Sequence, residues 1–409
     1  MSTSLERYRK EISLCVKCGA CRAVCPSFLR NREESRSARG RMALVKAVLD
    51  GKLAVSDIFR DRLATCTGCL ACEASCPSGV PVTDIIQAAK EQAVREAGRG
   101  IIAAMLSGML KRPGLFRTAA WLAPVALHYS RNAECGLRNV ELRSRSAGGE
   151  KPKRRIAFFP GCAVEHFQPE LGAATAGVLN KLGYEVIIPD GLKCCGRPLL
   201  SLGDREAAEE LAAHNTGILA TLDADAVVTA CASCGLTFKK EYPTLLRSGT
   251  NPPAVLDIHE FLVSRISGYN LGPVNKRITW HDPCHLGRGQ GLSGAARAIL
   301  RSIPGLTLRE MSNADRCCGF GGVMRITHRG LSDGIAEEKA RAIIATEASA
   351  VVTGCPGCRM QIANALTRAG AEIEALHTVQ VLDEALLNAE CGIRIAELEF
   401  SGVRGNRRL

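Results

Sequence analysis

The chain has 409 residues, of which 46% are hydrophobic, enough for two or three domains that each bury a core. This excludes a disordered polypeptide and a small disulfide-stapled scaffold. Twenty cysteines, nearly all in tight groups, suit shared metal centres better than long-range disulfides and imply a reducing, cytoplasmic setting. The formal charge of +12 would suit nucleic acid, and basic runs stand at 36–41, 151–155 and 404–408. Aromatic residues make up only 4% of the chain, however, leaving little surface for base stacking. Metal-bound thiolates would also cancel much of the positive excess. No nucleic-acid partner is therefore expected. The start, MSTSLERYRKEI, lacks an apolar core and a cleavage site and does not read as a signal peptide.

The first 98 residues read as a cysteine-rich, helical head. Residues 15–26 (CVKCGACRAVCP) and 66–77 (CTGCLACEASCP) are two copies of C-x₂-C-x₂-C-x₃-C-P. Three closely spaced thiolates can wrap three corners of a [4Fe-4S] cubane, while the fourth is directed to the other cluster of the pair. This assigns one cluster to Cys15, Cys18, Cys21 and Cys76, and the other to Cys66, Cys69, Cys72 and Cys25. Structural zinc favours two separated C-x₂-C pairs and fits this pattern poorly. Between the motifs, RGRMALVKAVLDG has apolar residues at helical spacing closed by a glycine. Arg39 and Arg41 within it could offset cluster charge, but they are read as solvated surface residues. The head resembles the helical two-cluster ferredoxin domain of respiratory iron-sulfur subunits.

Residues 99–153 read as a helical connector ending in the polar, charged run RSRSAGGEKPKRR. No window offers the roughly 18 uncharged apolar residues of a spanning helix. The closest, 101–129, is broken by Lys111, Arg112, Pro113, Arg117 and Pro124. It is read as a helical linker packed on its own domain, with peripheral association at the inner face of the cytoplasmic membrane left open.

From residue 154 the sequence repeats itself, giving units at 154–272 and 273–409. Cys162, Cys194, Cys195, Cys231 and Cys234 recur as Cys284, Cys317, Cys318, Cys355 and Cys358, at offsets of 122 to 124 residues. Each copy alternates strands and helices. RIAFFPGC, RITWHDPCH, AVVTACASC and AVVTGCPGC read as strands running into cysteines, while REAAEELAAHNTGILATL and AEEKARAIIATEA carry helical periodicity. Such alternation implies parallel sheets, whose ligands sit beyond the carboxyl ends of the strands. Adjacent cysteines cannot both face one cubane comfortably; they suit a more open cluster, with Gly196 and Gly319 permitting close backbone approach. His281 and His285 flank Cys284 and are either donors to cluster sulfur or satisfied turn residues. Cys135 and Cys391 fall outside any motif and are read as packing residues. HLGRGQG and CCGFGG lack the dinucleotide fingerprint, so no flavin or nicotinamide site is expected on this chain.

The five-cysteine pattern resembles the cysteine-rich "CCG" domain of heterodisulfide reductase catalytic subunits and of the iron-sulfur subunits of glycolate, lactate and anaerobic glycerol-3-phosphate dehydrogenases. The head followed by two such domains is similar in layout to the glycolate oxidase iron-sulfur subunit. The resemblance implies an α+β multidomain chain: a helical two-[4Fe-4S] ferredoxin domain, then two repeated α/β CCG domains. It further implies one or two additional [4Fe-4S] clusters, either cubane or noncubane as in heterodisulfide reductase. One would use Cys162, Cys194, Cys195, Cys231 and Cys234, and the other Cys284, Cys317, Cys318, Cys355 and Cys358. The implied role is electron transfer in a flavin-dependent 2-hydroxyacid (glycolate or D-lactate) dehydrogenase complex, from an FAD-binding subunit to a quinone or other acceptor. Both sets are complete, which keeps open disulfide cleavage at a noncubane cluster, as in heterodisulfide reductase. No catalytic residue can be singled out.

Overall fold

The computed structural model describes residues 5–112 and 154–390. Cys135, Cys391, the linker ending near residue 153 and most of the 101–129 segment lie outside the described residues.

In the head, the helices Ala38–Leu49, Asp57–Ala64 and Val82–Ala97 pack Met42, Val45, Phe59, Leu63, Ile85 and Ile86 into one core. The first two are capped as their sequences dictate: Ser37 and Ser56 hydroxyls accept the Gly40 and Phe59 amides at 2.9 and 3.3 Å. Gly40 is required for packing, since a Cβ there would stand 1.8 Å from the Glu34 carbonyl oxygen. In each cysteine motif the third cysteine lies on a single helical turn, Ala20–Ala23 or Ala71–Ala74. Each turn is entered through a left-handed residue, Gly19 (φ 87°) or Leu70 (φ 62°). That reversal folds the motif around a point.

The first repeat holds β1 (Arg155–Phe158), β2 (Glu185–Ile187), β3 (Ala226–Thr229) and β4 (Val255–Asp257), all parallel, in the order β2-β1-β3-β4. The second holds β5 (Arg277–His281), β6 (Thr307–Leu308), β7 (Ala350–Thr353) and β8 (Glu374–His377), in the order β6-β5-β7-β8. The register repeats with the sequence: Ile156 pairs with Ala226, and Ile278 with Ala350. Strand alternation sends Ile156 and Phe158 into a core shared with the second repeat's Ile278, Trp280 and Val352. Ala157 and Phe159 face a separate core with Leu199, Leu211, Phe238 and Tyr242. The four central strands were legible as apolar runs; β2, β4, β6 and β8 add edges that the sequence reading did not identify.

The order reverses between β1 and β3 and between β5 and β7, so each sheet has a switch point where neighbouring loops part and leave a crevice. Cys162 and Cys231 follow β1 and β3; Cys284 and Cys355 follow β5 and β7. Topology alone therefore gathers thiols at both crevices.

The head is bound to this double sheet by partly buried polar contacts. Gln87 and Lys90 donate to the Leu200 and Ser201 carbonyls at 2.5 and 2.9 Å. Arg288 donates to the Cys69 carbonyl at 2.9 Å, and Lys240 pairs with Asp84 at 2.8 Å. Gly203, at φ 83°, lies so close to Lys90 that a Cβ would reach 2.5 Å from its carbonyl oxygen.

Candidate iron-sulfur sites

Cys15, Cys18, Cys21 and Cys76 line one cavity of the head, and Cys66, Cys69, Cys72 and Cys25 line another. The fourth cysteine of each motif thus stands with the other motif's triplet. Cys18 is exposed, flanked by Leu14 and Val16 at 52% and 69% exposure, so the first cavity opens on an apolar edge. The second lies deeper, with Cys25, Cys69 and Cys72 all buried.

The two arginines of the linker behave differently. Arg39 reaches Glu34 at 2.8 Å and remains part-exposed, as a surface residue would. Arg41 is 1% exposed, which corrects the surface reading. Its guanidinium donates to the Arg62 carbonyl (2.8 Å) and the Thr65 hydroxyl (2.7 Å) and lies 3.9 Å from the Cys25 sulfur. It follows Ala38 by three residues and precedes Val45 by four, so it shares their buried stripe on the helix. That spacing was the available signal.

In the repeats, each adjacent pair of cysteines divides its attention. Cys194 faces Cys162 at 3.5 Å, while Cys195 bonds Cys234. Cys317 bonds Cys284, while Cys318 faces Cys358 at 3.3 Å. Gly196 and Gly319 follow at φ 90° and 86°, and a Cβ on Gly319 would come within 2.6 Å of the Ser332 carbonyl oxygen. All eighteen described cysteines are free thiols. Hydrogen bonds from Cys194 and Cys234 hold Cys195 well below the ordinary thiol range, and those from Cys317 and Cys358 do the same for Cys318. The hydrogen bond to Cys162, then that to Cys195 and burial, push Cys194 up. Soft sulfur donors gathered this closely, most of them buried, are the donor set of an iron-sulfur cluster. The residues therefore fit that cofactor.

The sets also touch one another. Cys69 of the head hydrogen-bonds Cys317, the contact that most raises its thiol, and both pack with Cys284. Cys231 bonds Cys355, the contact that most lowers the Cys355 thiol. One cavity, lined by Cys66, Cys195, Cys231, Cys234, Cys355 and His285, lies where the head and both repeats converge. His285 is a satisfied residue: its Nδ1 meets the Ser233 hydroxyl at 2.9 Å and its Nε2 the Gly68 carbonyl at 3.2 Å. His281 differs. Fully buried and pushed down to about 3 by that burial, it has no hydrogen-bond partner on either ring nitrogen. Lys339, which the sequence reading did not single out, is buried against the second set and donates to the Asn313 and Ala314 carbonyls at 2.7 and 3.3 Å. Burial lowers it to about 8, with the thiols of Cys318 and Cys317 pulling the other way.

Residues 11–80 match the model of a 4Fe-4S dicluster domain, and residues 156–239 and 278–363 each match that of a cysteine-rich domain. The chain belongs to the family that joins these domains. Within this family, it is 33% identical to a fumarate reductase (CoM/CoB) subunit of Methanothermobacter marburgensis, over 92% of this chain and 73% of that one. It is 30% identical to the probable glycolate oxidase iron-sulfur subunit of Bacillus subtilis, over 92% and 94%. It is 29% identical to a dihydromethanophenazine:CoB–CoM heterodisulfide reductase subunit of Methanosarcina barkeri, again over 92% and 94%. Membership makes this an iron-sulfur protein with several [4Fe-4S] clusters. Among the described residues, no helix is long and apolar enough to cross a membrane.

Proposed function

We propose that this chain is the iron-sulfur electron-transfer subunit of a flavin-dependent 2-hydroxyacid dehydrogenase complex acting on glycolate or D-lactate. Cys15, Cys18, Cys21 and Cys76 hold one cubane, and Cys66, Cys69, Cys72 and Cys25 hold the other. The five-cysteine sets of the repeats, in domains spanning 154–272 and 273–409, hold one further centre each. Bound clusters would accept and pass single electrons.

The observation that carries this reading is the contact of thiol sets from the head into both repeats. Cys18 brings the first to an apolar edge suited to a redox partner; Cys69 and Cys317 join the head to the second repeat; Cys231 and Cys355 join the two repeats. Arg41 places a fixed positive charge beside Cys25, and Lys339 is poised beside Cys317 and Cys318, which favours added negative charge at those centres. A separate FAD-binding subunit would oxidise the substrate, and a quinone or other acceptor would take the electrons on the cytoplasmic side. The test is reduction of a quinone analogue by the purified complex with glycolate or D-lactate. Turnover supports the proposal.

A second reading is favoured by one feature: both five-cysteine sets are complete, and Cys355 of the second set joins Cys162, Cys195, Cys231 and Cys234 of the first in lining one cavity. That arrangement would suit cleavage of a disulfide at a noncubane cluster. Turnover of a mixed disulfide, with no activity on any 2-hydroxy acid, would establish this reading over the first.

A further inference from the structure

The two cysteine sets have matching thiols but not matching surroundings. At the repeat offset of 122 residues, His281 of the second unit occupies the place of Phe159 in the first. Phe159 is a satisfied core residue: fully buried, in edge-on contact with Phe238 at 4.9 Å between ring centroids. His281 ends strand β5, is equally buried, and carries two ring nitrogens with no hydrogen-bond partner. One of its nitrogens and the sulfurs of Cys318 and Cys358 all lie within 4.8 Å of one another, the only such grouping of metal-ligating atoms among the described residues. The charged neighbours facing it are Lys339, Asp282 and the Cys355 thiol. Lys339 already donates to the Asn313 and Ala314 carbonyls, and Asp282 accepts from Trp280 at 2.8 Å and pairs with Arg297 at 2.8 Å. The Ala314 backbone is the weakest of the influences on the ring and is not placed for an ordinary hydrogen bond.

A buried imidazole that lacks partners is costly unless something fills its donor and acceptor positions. The cluster implied between Cys318 and Cys358 supplies both kinds of partner, sulfur to accept an N–H and iron to accept a lone pair. We propose that His281 belongs to the ligand sphere of the second repeat's centre, meeting it through a ring nitrogen, whereas the first repeat's centre is enclosed by thiols and the apolar Phe159. The inference rests on the assignment of a cluster to Cys284, Cys317, Cys318, Cys355 and Cys358. Two chemically distinct centres follow from one duplicated fold. A nitrogen contact raises a cluster's potential relative to its all-thiolate counterpart, so the second repeat's centre is the more easily reduced of the two.

The test is pulsed EPR of the reduced full-length protein labelled with ¹⁵N-histidine, together with iron analysis. The expected result is a histidine-nitrogen hyperfine coupling on one centre, strong for an iron–nitrogen bond and weak for an N–H to sulfur. His281→Phe, which installs the first repeat's own residue, should abolish that coupling, lower that centre's potential and leave the head signals unchanged. His281→Gln provides a second variant that retains polar atoms if the phenylalanine disturbs packing; it too should lose the coupling. A loaded second centre without histidine coupling in the unsubstituted protein, or a coupling that survives in either variant, overturns the proposal. An iron content that accounts only for the head, with no signal from the repeats, overturns the cluster assignment itself, and the role of His281 with it.

Discussion

Replacing Arg41 with glutamine removes a cation buried against the deeper set of head cysteines, proposed to hold a cluster, while keeping a donor for the Thr65 hydroxyl. The guanidinium lies 3.9 Å from the Cys25 sulfur. One metal–thiolate bond further, an electron added to the cluster would sit about 6 Å from the charge. At an effective dielectric constant of about 20, that separation corresponds to about 3 kcal/mol of attraction felt only by the reduced state. For a one-electron couple this is on the order of 100 mV, so the Arg41→Gln centre should be harder to reduce by that amount. Arg41→Lys keeps the charge but loses the fork that reaches both the Arg62 carbonyl and Thr65. Its potential should lie much nearer to that of the unsubstituted protein. An EPR-monitored redox titration of the full chain reads both. If Arg41→Gln retains its cluster and its potential moves by less than about 20 mV, buried charge compensation at this position is wrong.

Three further outcomes follow from the structure. Cys76→Ser should disturb the cluster held by the first motif, and Cys25→Ser that held by the second, as read by the two head EPR signals; the reverse pattern would show that each motif encloses its own cluster. Gly319→Ala, at φ 86° with a Cβ 2.6 Å from the Ser332 carbonyl, should cost on the order of 2 kcal/mol or more in chemical denaturation and unseat the second repeat's centre. Gly51, at φ 70° with open space around its Cβ position, should tolerate alanine at about 1 kcal/mol; equal costs would refute the packing argument. The third concerns His377, which burial holds neutral down to about pH 3 against an ordinary value of 6.5. Between those values the unfolded chain binds a proton there that the folded chain does not, so stability falls as pH falls from 6.5 toward 3. At pH 5 the loss from this residue is roughly 2 kcal/mol relative to pH 7.5. His377→Asn, which retains an acceptor for the Val379 amide, should recover most of that difference in urea midpoints; an unchanged pH dependence would contradict it.

The features legible in the sequence were those that repeat or that concentrate one chemistry. Five cysteines recurring at offsets of 122 to 124 residues marked the duplication, and apolar runs such as AVVT marked strands buried on both faces. The edge strands escaped notice because β6 has two residues and β2 three, too short to display a period. The meeting of Cys69 with Cys317 and of Cys231 with Cys355 escaped for a different reason: these contacts join segments far apart in the chain, and no local pattern encodes which units dock. Arg41 was legible in principle, since it keeps step with Ala38, Met42 and Val45, but its charge argued for solvent more strongly than its position argued for the interior. For the histidines, adjacency to Cys284 did not separate their roles. Ser233 and Gly68, both distant in sequence, satisfy His285, while no residue satisfies His281.

Quantitation of iron and acid-labile sulfide in the anaerobically purified chain tests the central claim most directly. Four loaded sites predict about sixteen irons with matching sulfide. About eight would confine the clusters to the head, and a colourless protein containing zinc or no metal would contradict the account altogether.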